Sequence, residues 1–206
     1  TKGLFIAFEG GEGSGKSTQT KLLKGWLESQ NKTVTLSREP GGTELGKDLR
    51  KILLDNKTGA ISPRAEALMY AADRAHHVFS LIRPALDRGE IVITDRYFDS
   101  SIAYQGAGRV LDPSEIARIS RWATESLTPT ITIILDQNPE IGLQRIKSAD
   151  RLESEPLDFH NRVRHEYLQL ASLDPERYLV IEAGRTITEI HQDITERISK
   201  YLHVNL

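Results

Sequence analysis

One loop limits the folds open to this chain more than any other feature. Residues 10–17 read GGEGSGKS, between the apolar run LFIAF (4–8) and a helical pattern that begins near residue 15. The spacing G-x-x-x-x-G-K-[ST], with a strand before it and a helix after it, is that of a phosphate-binding loop. Backbone N–H groups must converge on phosphate oxygens, so Gly10, Gly11, Gly13 and Gly15 remove the side chains that would hold an anion away. The helix starting near Lys16 aims its free amides and the positive end of its dipole at the same anion. Lys16 offsets charge on the β- and γ-phosphates, and Ser17 offers its hydroxyl to Mg²⁺. With Glu12, Ser14 and Thr18, residues 10–18 are the expected ATP-binding stretch. Glu12 needs its own explanation, because a phosphate cradle has no use for an acid.

The rest of the chain fits around that loop as an α/β fold. TVTLS (33–37), IVITD (91–95), TITIILD (130–136) and RYLVIEA (177–183) join 4–8 as strand candidates. Most are nearly continuous apolar runs, which suits strands buried on both faces of a parallel sheet. Helical patterns fall at about 15–30, 43–55, 63–88, 113–127, 139–147, 157–173 and 186–203. Ser62-Pro63, Asp112-Pro113 and Asn138-Pro139 each provide a cap followed by proline at the first helical position. Strand–helix alternation along the chain predicts a doubly wound sheet in one domain spanning 1–206. The polar stretch KSADRLESEP (147–156) is the one candidate for a lid.

Composition excludes several other functions. The net charge is −2, without the basic excess of a non-specific nucleic-acid binder. With no cysteine, thiolate metal sites and cysteine nucleophiles are ruled out. No apolar run approaches a membrane span and no signal-peptide pattern opens the sequence, so a soluble cytoplasmic domain is expected. None of the six histidines falls into a ligand-like spacing, and they read as exposed or capping residues. Trp26 and Trp122 read as packing residues on helical faces.

A second constellation lies in IVITDRYFDSS. Asp95 falls at the carboxyl end of a strand, where ligands bind in such sheets, and Arg96 follows it into the same crevice. Asp95 is the preferred carboxylate for the metal. Asp136 is its rival but leads directly into a helix cap. Arg38, Arg74 and Arg109 stand where further elements should meet the crevice, and phosphoryl transfer between two anions calls for several such charges. The segment LDQNPE replaces the guanine-reading N-K-x-D of switch GTPases, and no second lysine precedes Lys16 in the loop. These features favour a small kinase. A kinase for another nucleoside monophosphate and an ATP-binding switch that transfers nothing are the alternatives.

FEGGEGSGKST, SREPGGT, MYAADRAHH, DRYFDSSIAYQG and DRLE…DFHNRVRHEYL, in this order, resemble the bacterial thymidylate kinases over residues 4 to about 185. The resemblance implies a P-loop fold of the nucleoside-monophosphate-kinase type, a five-stranded parallel sheet with helices on both faces. It also implies transfer of the γ-phosphoryl of Mg·ATP to dTMP, and a homodimer. Carried over by motif, Arg38 and Arg96 hold the dTMP phosphate, Tyr70 stacks on thymine and Arg74 reaches its O4 edge. Ser101 and Gln105 lie along the base, Tyr104 packs on the deoxyribose, and Glu12 approaches the 3′-hydroxyl and the metal–phosphate region. Gly13 marks the members that draw the catalytic arginine from the lid. Arg151 is the expected side chain beside Lys16, Glu12 and Arg96, with Arg145 and Lys147 at the start of the lid as its rivals.

Overall fold

The computed structural model describes residues 3–204. Strands β1 (Phe5–Glu9), β2 (Val34–Arg38), β3 (Ile91–Asp95), β4 (Ile131–Asp136) and β5 (Tyr178–Glu182) pair in parallel, in the order β2-β3-β1-β4-β5. The helices are α1 (Lys16–Ser29), α2 (Glu44–Leu54), α3 (Pro63–His77), α4 (Arg83–Asp87), α5 (Phe98–Ser101), α6 (Pro113–Ala123), α7 (Pro139–Gln144), α8 (Leu157–Leu173) and α9 (Ile187–Val204).

Alternation along the strands explains why most of the runs are nearly apolar. Ile6 and Phe8 of β1 pack with Ile131, Ile133 and Leu135 of β4 against Leu23 and Leu27 of α1 and Ile190, Ile194 and Ile198 of α9. Phe5 and Ala7 face the other way, toward Val78, Ile82 and Tyr97. A further cluster on that side joins Tyr104 to Phe159, Val163 and Tyr167 of α8. All three expected caps form: Ser62 Oγ accepts from Ala65 N, Asp112 Oδ1 from Ser114 N and Asn138 Oδ1 from Glu140 N.

Two helical segments widen, and both depart from the expectation. The helix expected over 63–88 is divided by a π stretch at Val78–Ile82, where Arg83 N donates to the carbonyl five residues back. Pro84 follows, with no N–H to offer, so the ladder must be rearranged at this point. The second, Ile102–Gly108, continues α5 in a region with no helix expected. There Arg109 N donates to Tyr104 O and Leu111 N to Gly106 O. The i+5 spacing shifts side chains off the usual helical face and brings both Tyr104 and Gln105 to the cleft.

Candidate active site

The cleft opens at the carboxyl ends of β1, β2 and β3. The loop after β1 turns through Gly10, Gly13 and Gly15, with φ of 133°, 64° and 92°. Residues Glu12 to Thr18 of this loop, with Arg38, Asp95 and Arg96, wall a cavity of about 290 Å³. Lys16 is buried, and its Nζ donates to the carbonyls of Gly10 and Gly11 at 3.2 and 3.0 Å. Burial and the neighbouring Arg96 pull the Lys16 pKa down. Ser17 Oγ donates to Asp95 Oδ2 at 3.2 Å, so a hydroxyl and a carboxylate share the edge of this cavity.

A second cavity of about 110 Å³ adjoins the first, and Glu12, Glu39, Arg50 and Arg96 line both. Glu12 Oε1 accepts from Arg96 Nη2 at 2.9 Å and from the Tyr104 hydroxyl at 2.7 Å. Burial opposes its ionisation, but Arg96, Lys16 and that hydroxyl prevail and hold its pKa below the ordinary carboxylate value. Arg96 has φ of 71°, costly for a bulky residue, with its N–H fixed on Phe8 O at 2.8 Å. The guanidinium stands 4.9 Å from the Tyr104 ring centroid and also donates to Ser100 Oγ and Tyr167 Oη. Behind it Glu9, fully buried at the end of β1, accepts from Ser100 Oγ and Tyr167 Oη. Burial and Asp99 raise Glu9 to about 7.

A family model described as thymidylate kinase matches residues 8–194. The thymidylate kinase of Clavibacter michiganensis subsp. michiganensis is 55% identical over 199 residues, 95% of this chain and 94% of that protein. That of Bifidobacterium longum subsp. infantis is 50% identical, over 99% of this chain and 89% of its own. The crystal structure of thymidylate kinase from Ehrlichia chaffeensis superposes with a TM-score of 0.79 at 33% identity, covering 96% of this chain and 99% of that one. The chain belongs to the thymidylate kinase family.

Against the residues that this family resemblance suggests, the geometry sorts the side chains. Tyr70, Arg74, Arg96, Tyr104 and Gln105 line the smaller cavity, and Arg38 the larger. Ser101 lines neither. Its hydroxyl accepts from Arg74 Nη1 at 2.9 Å, while its neighbour Ser100 faces the cavity. Arg74 is ion-paired with Glu39 at 2.6 Å, so it is a compensated cation and not a bare one. Asp136 takes a two-point contact from Arg164, at 2.7 and 2.9 Å, which ties α8 to β4 and leaves Asp95 as the carboxylate beside Ser17.

The lid places Arg151 apart from the phosphate loop. Its guanidinium bonds to Leu53 O and to buried Glu66, away from the phosphate loop. Arg145 instead donates from Nη1 to Gly13 O at 2.9 Å. Backbone contact explains this: a Cβ on Gly13 would lie 2.1 Å from Gly142 O, so α7 packs directly on the loop and delivers Arg145 there. The same contact excludes a side chain at position 13. Arg109, expected in the crevice, also pairs with Glu66 and lines neither cavity.

Sequence reasoning missed the carboxylates Glu9, Glu39 and Glu66, and Arg50. Arg50 lines both cavities and donates to Pro40 O at 2.9 Å. Its position two turns into the helix after SREPGGT was the available signal. Two histidines are buried, contrary to expectation. His77 bridges Ser37 Oγ and Glu39 Oε1, and His160 lines a small cavity together with Glu12 and Gln137. Trp122, expected to pack, is 82% exposed.

Proposed function

We propose that this protein transfers the γ-phosphoryl group of ATP to the 5′-phosphate of dTMP, giving dTDP and ADP. The observation that carries this reading is the pair of adjoining cavities sharing Glu12, Arg50 and Arg96. One is framed by the phosphate-binding loop and the other by an aromatic ring and hydrogen-bonding side chains suited to a base. Residues 10–18 hold ATP, with Lys16 on its phosphates. An acceptor phosphate entering between Arg38, Arg50 and Arg96 comes to rest beside the donor. One of its oxygens forms the new bond to the γ-phosphorus as the bond to the ADP oxygen breaks. Catalysis then consists of positioning and charge neutralisation. Tyr70 stacks on the base, Arg74 and Gln105 meet its polar edge, and Glu12, fixed by Tyr104 and Arg96, accepts from the deoxyribose 3′-hydroxyl.

Arg145, already at the loop, is the cation for the transferring group, and Arg151 braces the acceptor side. Ser17 and Asp95 are hard oxygen donors at the loop cavity, which suits Mg²⁺. They would hold an ion that offsets phosphate charge when bound. Residues 1–206 act as one unit with 147–156 as its lid, in the cytoplasm. A second copy of the chain is proposed to cover the apolar groove between α3 and α6, where Leu68 and Trp122 are 58% and 82% exposed.

ADP release from Mg·ATP, measured with dTMP, dUMP, dCMP, dGMP and AMP in turn, tests this reading. Acceptor-dependent release with dTMP and dUMP is expected. ATP binding without acceptor-dependent ADP would replace the kinase with a non-transferring switch.

A further inference from the structure

Each side chain at the base edge of the smaller cavity has a buried carboxylate behind it. Arg74 rests on Glu39, as described. Gln105 rests on Glu66: its Nε2 donates to Glu66 Oε1 at 2.9 Å, and Glu66 is fully buried. Arg109 holds both Glu66 oxygens, at 3.1 Å each, and Arg151 of the lid holds Oε2 as well. Burial alone would favour the neutral acid, but hydrogen bonds from Arg109, Gln105 and Arg151 keep Glu66 ionised, its pKa below the ordinary value.

An ionised carboxylate only accepts hydrogen bonds. It therefore decides which end of the Gln105 amide faces it. The NH₂ group must turn inward to Glu66, and the carbonyl oxygen Oε1 must turn toward the cavity that Gln105 lines. Among the described residues Oε1 receives no hydrogen bond, so it is the acceptor that the wall offers to a ligand. Thymine and uracil carry an N3–H donor between two carbonyl oxygens. Cytosine carries an N3 acceptor beside an amino donor.

We infer that Glu66 is a specificity-determining positioning residue: it locks the Gln105 amide with its acceptor toward the base and so admits keto pyrimidines while rejecting amino pyrimidines. The inference rests on the dTMP-acceptor reading above and deepens it. Arg74 contributes in the same sense, as a donor suited to O4 and mismatched to an amino group. Arg109 and Arg151 contribute at one remove, since they keep Glu66 charged.

The test compares kcat/KM for dTMP and dCMP in the wild type, Glu66→Gln, Gln105→Leu and the double variant, with folding checked by thermal melting. In Glu66→Gln the amide opposite Gln105 can donate, which frees Gln105 to present its NH₂ to a cytosine N3. The dTMP:dCMP ratio is expected to fall at least ~10-fold, as the loss of one buried hydrogen-bond preference requires. Gln105→Leu should lower the ratio similarly, and adding Glu66→Gln to it should lower the ratio no further. A purely structural role predicts that Glu66→Gln slows both substrates equally with the ratio unchanged, and that result overturns the inference. If Glu66→Gln does not fold, Gln105→Leu decides: a ratio like the wild type's shows that the amide reads nothing. A wild-type enzyme that phosphorylates dCMP as well as dTMP would refute the acceptor reading itself, a separate failure.

Discussion

The wall of the larger cavity comes mainly from one contiguous stretch, Glu12 to Thr18, and much of what it offers is backbone. The wall of the smaller cavity is gathered from separate elements. It draws Glu12 from the loop, Arg50 from α2, Tyr70 and Arg74 from α3, Arg96 from after β3 and Tyr104 and Gln105 from the π stretch. The first wall needs little support, because helix α1 fixes its amides. The second needs a layer behind it, which Glu9, Glu39 and Glu66 supply. A site that receives an invariant triphosphate can be made of main chain. A site that must tell one base from another needs side chains held in single orientations, and here buried Glu39 holds Arg74 and buried Glu66 holds Gln105.

The sharpest way to break this division concerns two arginines in and beside the lid: Arg145 is bonded to the phosphate loop and Arg151 to Glu66 behind the acceptor wall. Arg145→Ala should lower kcat by about 10³-fold or more, the usual worth of a cation on a transferring phosphoryl group. Arg151→Ala should act mainly on the KM for dTMP, because Arg151 reaches the cleft only through Glu66. Steady-state kinetics on both variants read the split. The reverse pattern would move the transferring cation to position 151 and unseat the assignment drawn from the Gly13–Arg145 contact.

Glu12 stands between the two walls, so its substitution locates the border. Glu12→Gln keeps the shape and removes the charge that Arg96 and Tyr104 address. It should reduce kcat/KM for dTMP by about 10²-fold, on the scale of a lost charged hydrogen bond of about 1.5–3 kcal/mol. ATP affinity, followed by titration calorimetry without acceptor, should change less than about twofold, since a phosphate cradle gains nothing from a carboxylate. Equal losses of both would assign Glu12 to the donor.

These variants also mark what the sequence could reveal. The loop was legible because its work is done by backbone, and backbone demands glycine at fixed spacing within one segment. The sheet was legible because strands buried on both faces are apolar at nearly every position, as at Ile131–Leu135, where Thr132 alone is polar. The layer behind the acceptor wall was not, because Glu9, Glu39 and Glu66 lie on separate elements and look like any other acid until the fold brings an arginine or a tyrosine to each. The 98–108 helix was hidden for a different reason: its i+5 turns break the 3.6-residue pattern by which helices are read. The pairing of Arg151 with Glu66 was not legible, because proximity in sequence to a lid says nothing about which neighbour will claim the guanidinium.

A third prediction sharpens the comparison within the acceptor wall. Rejection of dCMP relies on polar groups of opposite sign, but preference for dTMP over dUMP relies on one methyl group. A methyl in an apolar pocket is worth about 1–3 kcal/mol. The ratio of kcat/KM for dTMP to dUMP should therefore be about tenfold, orders of magnitude below the ratio for dCMP. Equal rejection of dUMP and dCMP would mean that the wall selects by shape and not by hydrogen bonding.

The smallest effect concerns the layer behind the wall and is read in stability. Glu9 is held near 7 by burial and by Asp99, above the ordinary carboxylate value of 4.5. Between those two values the folded protein keeps a proton that the unfolded chain gives up. Stability from this group is complete below pH 4.5 and is lost as pH rises through 7. Glutamine mimics the protonated acid: its carbonyl can accept from the N–H groups of Tyr97 and Ser100, now on Glu9 Oε1 at 2.8 and 3.2 Å, and its NH₂ can donate to the hydroxyls of Ser100 and Tyr167. Glu9→Gln should therefore match the wild type near pH 5 and exceed it near pH 8 by on the order of 1 kcal/mol, roughly 2–4 °C in Tm. Thermal melts across that range measure it. A difference independent of pH would mean that Glu9 is already ionised throughout, with Arg96 and the hydroxyls around it outweighing its burial.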